Sequence, residues 1–148
     1  MLDRTALVVD DVPANREFLE RLLAVARFTV TGVGSGKAAL SAIADMDELT
    51  LAMVDMKLPD MHGLEVTVAL RKRYPNAMIV IATMYDSHSL MREAFTKGCN
   101  VFLVKPNGFM ELFKRLTTIE MSELRSTQCL VIDQYGPRVF KNTAPLES

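Results

Sequence analysis

The sequence predicts an α/β domain in which five β–α repeats build a doubly wound, five-stranded parallel sheet. Three observations carry that expectation. Four short apolar runs have the length and continuous hydrophobicity of strands buried on both faces of a parallel sheet. Helical patterns with one apolar stripe lie between the runs. The central runs end in polar or charged residues, at the edge where open sheets of this kind place their ligands.

The first run is Ala6-Leu7-Val8-Val9. Pro13 then suits a first helical turn, with Asp11 or Val12 near the cap. In that helix Phe18, Leu19, Leu22 and Leu23 form an apolar stripe, and Arg16, Glu17, Glu20 and Arg21 take the other side as i,i+4 charge pairs. Phe28-Thr29-Val30-Thr31-Gly32-Val33 alternates apolar with small or polar residues, the pattern of an edge strand with one wetter face. Ser35 can cap a second helix running to about Asp45. Leu51-Ala52-Met53-Val54 is the third strand, followed by a helix marked by Val66 and Leu70. Met78-Ile79-Val80-Ile81-Ala82 is the fourth, followed by a helix marked by Leu90 and Ala94 and ended by Gly98. Val101-Phe102-Leu103-Val104 is the fifth, and Phe109, Leu112, Phe113 and Leu116 mark the last helix. Right-handed crossovers then cover both faces of the sheet over residues 4–119.

Composition narrows the function classes. The 148 residues are 49% hydrophobic and 24% charged, an ordinary globular balance. With 17 Lys and Arg against 18 Asp and Glu, no overall basic field points to nucleic acid. Cys99 and Cys129 show no metal-ligand spacing and read as reduced thiols of a cytoplasmic protein. No apolar run approaches the roughly 18 residues of a membrane span. Asp3 and Arg4 precede the first strand without a signal-peptide pattern. Of the ten methionines, most are expected to fill core gaps.

The carboxyl edge of the sheet gathers the chemistry. The first strand runs into Asp10-Asp11, the third into Asp55, the fourth into Thr83 and the fifth into Lys105-Pro106. Each residue alone is ordinary turn or cap chemistry. Their joint placement is not. Carboxylates about 4 Å apart at an effective dielectric near 20 repel by roughly 4 kcal/mol per pair, so the cluster needs cations. Lys105 supplies one; Mg²⁺, a hard ion suited to a few carboxylates and to phosphate, supplies the other.

In these residues the chain resembles the receiver domain of bacterial two-component response regulators, the CheY-like family. The resemblance spans about residues 4–119. It rests on Val9-Asp10-Asp11, on Asp55-Met56-Lys57-Leu58-Pro59-Asp60-Met61-His62-Gly63, on Ala82-Thr83 and on Leu103-Val104-Lys105-Pro106, in the family's order. It implies a flavodoxin-like sheet in the order 2-1-3-4-5. It also implies that Asp55 accepts a phosphoryl group from a histidine kinase or histidine phosphotransfer protein. Mg²⁺ would be held by Asp10, Asp11, Asp55 and the backbone carbonyl of Lys57. Thr83 takes the place of the switch hydroxyl, Lys105 that of the counter-ion and Phe102 that of the switch aromatic. Pro106 takes the place preceded by a cis bond. The protein would assist its own phosphorylation and dephosphorylation rather than act as an enzyme on others. It would switch the face made by the fourth helix, fifth strand and fifth helix for a homodimer or a downstream effector.

The chain departs from the family at Met84, where a small residue is usual. Met84 is expected to narrow access for water and small donors and so to slow dephosphorylation; Lys57 and Tyr85 flank the same opening, the alternative for Lys57 being to bring a positive charge near the phosphoryl group. Asn107-Gly108 stands where an apolar residue is common, with Phe109 two positions later. His62 reads as a solvent-facing loop residue and His88 as part of the fourth helix's first turn. Residues 1–120 form the receiver; 121–148 form an extension too short for an output domain. In that extension Cys129-Leu130-Val131-Ile132 reads as a strand, Tyr135-Gly136-Pro137 as a turn and Arg138-Val139-Phe140 as a return strand. It is expected to pack on the receiver or to act as a dimerisation or partner-binding arm.

Three rivals compete. A haloacid-dehalogenase-type phosphatase would carry its nucleophile on the first strand. A flavodoxin would need a hydroxyl-rich loop where Asp-Asp-Val-Pro-Ala-Asn stands. A receiver-like interaction module would signal without phosphorylation, yet all five expected site residues are present.

Overall fold

The structure, a computed structural model, describes residues 4–105, 129–133 and 136–140. It opens on β1 (Thr5–Val9) and α1 (Pro13–Val25), then β2 (Thr29–Val33) and α2 (Gly36–Ala44). β3 (Leu51–Asp55), α3 (Gly63–Arg73), β4 (Met78–Thr83), α4 (His88–Lys97) and β5 (Val101–Val104) follow, and β6 (Leu130–Asp133) and β7 (Gly136–Val139) end the described part. The first five strands pair in parallel in the predicted order 2-1-3-4-5.

Local chemistry sets the helix ends. Pro13 occupies the first turn of α1 behind Val12. The Ser35 hydroxyl accepts the Ala38 N–H at 3.0 Å, and the Ser87 hydroxyl accepts the Leu90 N–H at 3.2 Å. Gly98 closes α4 at φ 119°, a left-handed position that suits glycine.

Two apolar layers hold the sheet. On one face Leu19 and Leu23 of α1 meet Ala6, Val8, Met53, Val80 and Leu103. On the other, Ile43, Val66, Leu70, Met91 and Ala94 from α2, α3 and α4 meet Leu7, Val54, Ile81 and Phe102. Phe18 of the predicted α1 stripe stays 46% exposed. Arg71 clamps the loops after α3 and α4. Its guanidinium donates to the carbonyls of Gly98, Pro75 and Ala77 and to the Asn100 side chain, at 2.6–3.0 Å. Cys99 beneath it is buried, which pushes its thiol pKa far up.

Among the described residues the sheet has seven strands: the five predicted for it, joined at the β5 edge by the two strands predicted in the extension. β6 pairs in parallel with β5 through Val101↔Leu130, Phe102↔Val131 and Leu103↔Ile132, and β7 returns antiparallel. β5 is therefore an interior strand. Leu130, Val131 and Ile132 are buried, which explains the continuous apolar run. The Phe140 N–H bonds the Cys129 carbonyl at 2.7 Å, so Ile132↔Pro137 falls at a non-bonded pair. The nitrogen of Pro137 thus faces away from β6, where no ladder hydrogen bond needs its missing donor.

The predicted fifth helix, the bond before Pro106, Asn107-Gly108 and Tyr135 lie outside the described residues; of the expected turn Tyr135-Gly136-Pro137, Gly136 and Pro137 instead belong to β7, paired with Asp133 and Ile132, so the return strand begins two residues before Arg138. No described helix is long and apolar enough to cross a membrane.

Candidate functional site

Four parallel strands bring their polar ends to one edge. Asp10 follows β1, Asp55 ends β3, Thr83 ends β4 and Lys105 follows β5 by one residue. The sheet registers Asp55 beside Ala82 and Thr83 beside Val104, so the ends align. Carboxylate oxygens of Asp10, Asp11 and Asp55 all lie within 4.8 Å of one another. Lys105 Nζ sits 3.6 Å from Asp10 Oδ2 and 3.4 Å from Asp55 Oδ2.

Charge decides what this cluster can hold. At an effective dielectric near 20, each carboxylate pair at that separation costs roughly 3.5 kcal/mol and each lysine contact returns about 5. Two lysine contacts thus offset most of the repulsion. Three carboxylates and one ammonium still leave two negative charges, which match a divalent cation. The donors are all carboxylate oxygens, the set that a hard ion such as Mg²⁺ takes. Burial raises the Asp55 pKa above its ordinary value; Lys105 opposes the rise and Asp10 adds to it.

The pocket is braced from several sides. Asp10 is 2% exposed, and its Oδ1 accepts the Val12 N–H at 3.0 Å. Arg16 Nη1 donates to the Asp10 carbonyl at 2.8 Å, a contact invisible when Arg16 is read only as part of a polar helix face. The Lys57 N–H approaches Asp55 Oδ1 at 3.4 Å. A Cβ on Gly63 would stand 2.2 Å from the Asp55 carbonyl oxygen, so only glycine lets α3 begin this close to the acid. The Asp60 carboxylate accepts the N–H groups of Gly36 and Lys37 at 2.9 and 2.8 Å, tying the β3–α3 loop to α2. Gly63 and Asp60 fall within the motif, where their signal is legible; Arg16 carries none, because it lies six positions past Asp10 on a helix that Asp10 precedes.

The rim of the pocket carries Lys57, Met84 and Tyr85, the residues expected to modulate access. Lys57 Nζ lies 3.2 Å from the Tyr85 hydroxyl and 5.1 Å from its ring centre, joining the loops after β3 and β4. Met84 stands 75% exposed beside them. The buried Thr83 hydroxyl accepts the Tyr85 N–H at 3.2 Å, and the Thr83 carbonyl accepts the Lys105 N–H at 2.8 Å. Phe102 is fully buried, on the same layer as α4, with its ring centre 6.4 Å from that of Phe95. His62 precedes α3, where its N–H meets the Glu65 carboxylate at 3.3 Å, and His88 is the first residue of α4. Neither histidine belongs to the acidic cluster.

The family model of the response regulator receiver domain matches residues 6–117. A probable transcriptional regulatory protein, TcrX of Mycobacterium tuberculosis, is 30% identical over 151 aligned positions, covering 96% of this chain and 64% of that protein. A CheY-like receiver domain protein from Methanospirillum hungatei superposes with a TM-score of 0.74 at 23% identity, over 84% of this chain and 98% of that one. A response regulator from Burkholderia pseudomallei, solved with a phosphorylated aspartic acid, a calcium ion and citrate, gives 0.70 at 26% identity, over 84% and 72%. The chain spans from 24% to 64% of the length of several curated relatives that it matches.

Proposed function

The chain belongs to the response regulator receiver domain family, and from that premise we propose that Asp55 is its phosphoacceptor. The observation that carries the proposal is the convergence of Asp10, Asp11, Asp55 and Lys105 at one sheet edge. Residues 1–120 act as the receiver and 121–148 as its extension, in the cytoplasm.

The reaction transfers a phosphoryl group from a phosphohistidine on a histidine kinase or phosphotransfer protein. An Asp55 carboxylate oxygen attacks the phosphorus in line with the leaving imidazole. The P–N bond breaks, its electron pair stays on the imidazole, and an acyl phosphate forms. Asp10, Asp11, Asp55 and the Lys57 carbonyl would hold Mg²⁺, which neutralises charge on the transferring group when bound. Lys105 is positioned to stabilise the same charge from the opposite strand. The Thr83 hydroxyl can donate to a phosphoryl oxygen once its loop moves.

Hydrolysis requires a water in line with the Asp55 O–P bond, which breaks and returns its electron pair to the carboxylate as inorganic phosphate leaves. The Lys57–Tyr85 bridge, with Met84 beside it, stands over that approach and slows it. A new group with up to about two charges then draws Thr83 and Lys105 inward, and Phe102 carries the change to the α4 side. That side serves dimer or effector binding.

Beryllofluoride with Mg²⁺ tests the proposal against a module that signals without phosphorylation. Amide resonances of residues 55–57 and 83–85 shift in wild type and stay fixed in Asp55→Asn. Identical spectra for both proteins, with and without the reagent, would support the docking module.

A further inference from the structure

The β6–β7 hairpin touches both arms of the site. One arm is β5, which carries Lys105 one residue past its end and is paired with β6 along Val101–Leu103. The other is the segment from Thr83 to α4. His88, the first residue of α4, lies five positions after Thr83. The ring of Phe140, directly after β7, stacks on His88 at 4.7 Å and on Phe95 at 5.0 Å between centroids. Phe95 leads on to Phe102 at 6.4 Å.

The two attachments differ in strength. The β5–β6 ladder is regular, and Leu130, Val131 and Ile132 beneath it are 6%, 0% and 0% exposed. The contact with α4 is three rings at the surface; His88 is exposed and Phe95 and Phe140 are half-buried. When α4 and β5 shift relative to each other, β6 follows β5 and the ring contact yields first.

We infer that Phe140, held at the end of β7, covers the aromatic face of α4 in the resting protein, and that this cover loosens when Asp55 carries a phosphoryl group. The inference rests on Asp55 being the phosphoacceptor. The physical link is short. Lys105 and Thr83 are bonded at the mouth of the site, N–H to carbonyl at 2.8 Å, and both are drawn toward the added charge. The β4–α4 loop and the end of β5 then move by different amounts, because one ends in a helix and the other in a sheet ladder. Phe140 bridges the two. Linkage makes the coupling reciprocal: removing the cover favours the charged site.

Hydrogen exchange on the full chain with Mg²⁺, with and without beryllofluoride, tests this. In wild type the reagent slows exchange at residues 55–57 and 83–85 and speeds it at 136–140 by about five-fold or more. Asp55→Asn shows neither change. Phe140→Ala exchanges rapidly at 136–140 without the reagent and binds beryllofluoride about five-fold more tightly. Should Phe140→Ala raise exchange throughout β1 and β3, Phe140→Leu is read by the same two ratios. Protection at the site with unchanged exchange at 136–140 and unchanged affinity in the variant overturns the cover and leaves the phosphoacceptor standing. No protection at the site in wild type overturns both.

Discussion

Asp55 sits in a position that disfavours its own charge. Burial raises its pKa, and Asp10 adds to the rise while Lys105 opposes it. The unfolded acid ionises near its ordinary value of 3.8, before the folded one does. Folded stability therefore falls as pH rises through that window, and the loss persists at neutral pH. Asp55→Asn is expected to melt a few degrees higher than wild type in chelator and to gain less from added Mg²⁺. Thermal melts at neutral pH check both statements. Asp60 has the opposite sign. The N–H groups of Lys37 and Gly36 hold its pKa below 3.8, so its contribution is complete above that value and is lost as pH falls through the folded pKa. Asp60→Asn should flatten the acid limb of a stability–pH curve below about 4 while leaving phosphoryl transfer in place. At the rim, Lys57→Ala or Tyr85→Phe breaks the 3.2 Å bridge. Either should shorten the acyl-phosphate lifetime severalfold, measured by decay of the labelled protein. A wild-type half-life of seconds would contradict the proposed shielding.

Among the elements, the strands of the five-stranded core were legible, the inner ones by burial on both faces and the edge strand β2 by its alternating sequence. Continuous apolar runs placed β1, β3, β4 and β5, and Ser35, Pro13 and Gly98 placed helix ends, because these signals are local. Strand partnership is not local. The run Leu130-Val131-Ile132 announced a strand, but nothing in its composition says that it lies beside Val101-Phe102-Leu103. The same limit hid the Lys57–Tyr85 bridge, which spans 28 positions, and the Arg16 contact with Asp10. The acidic cluster was legible because its members sit at strand ends, where fold topology supplies the third dimension. Arg71 tests the element scale. It joins the ends of α3 and α4 through four carbonyls and an amide and is half-buried. Arg71→Met should cost about 3 kcal/mol, read as a lower denaturant midpoint at unchanged m.

On the scale of the whole molecule, the chain places its chemistry at one sheet edge and extends that sheet past β5 with a hairpin. The extension changes what a switch can do, because a strand between two neighbours cannot move alone. On the side expected to serve dimers and effectors, half-buried Phe140 packs against α4 over a core layer that includes Val131. Everything downstream depends on whether Asp55 takes the phosphoryl group. The most direct measurement incubates wild type and Asp55→Asn with a phosphohistidine donor and Mg²⁺, then weighs the intact proteins and maps the modified peptide. Wild type should gain one phosphoryl group on the peptide containing Asp55, lose it on addition of hydroxylamine, and gain none in chelator; Asp55→Asn should gain none. Equal incorporation by the two proteins, or a label mapped to another residue, would contradict the assignment.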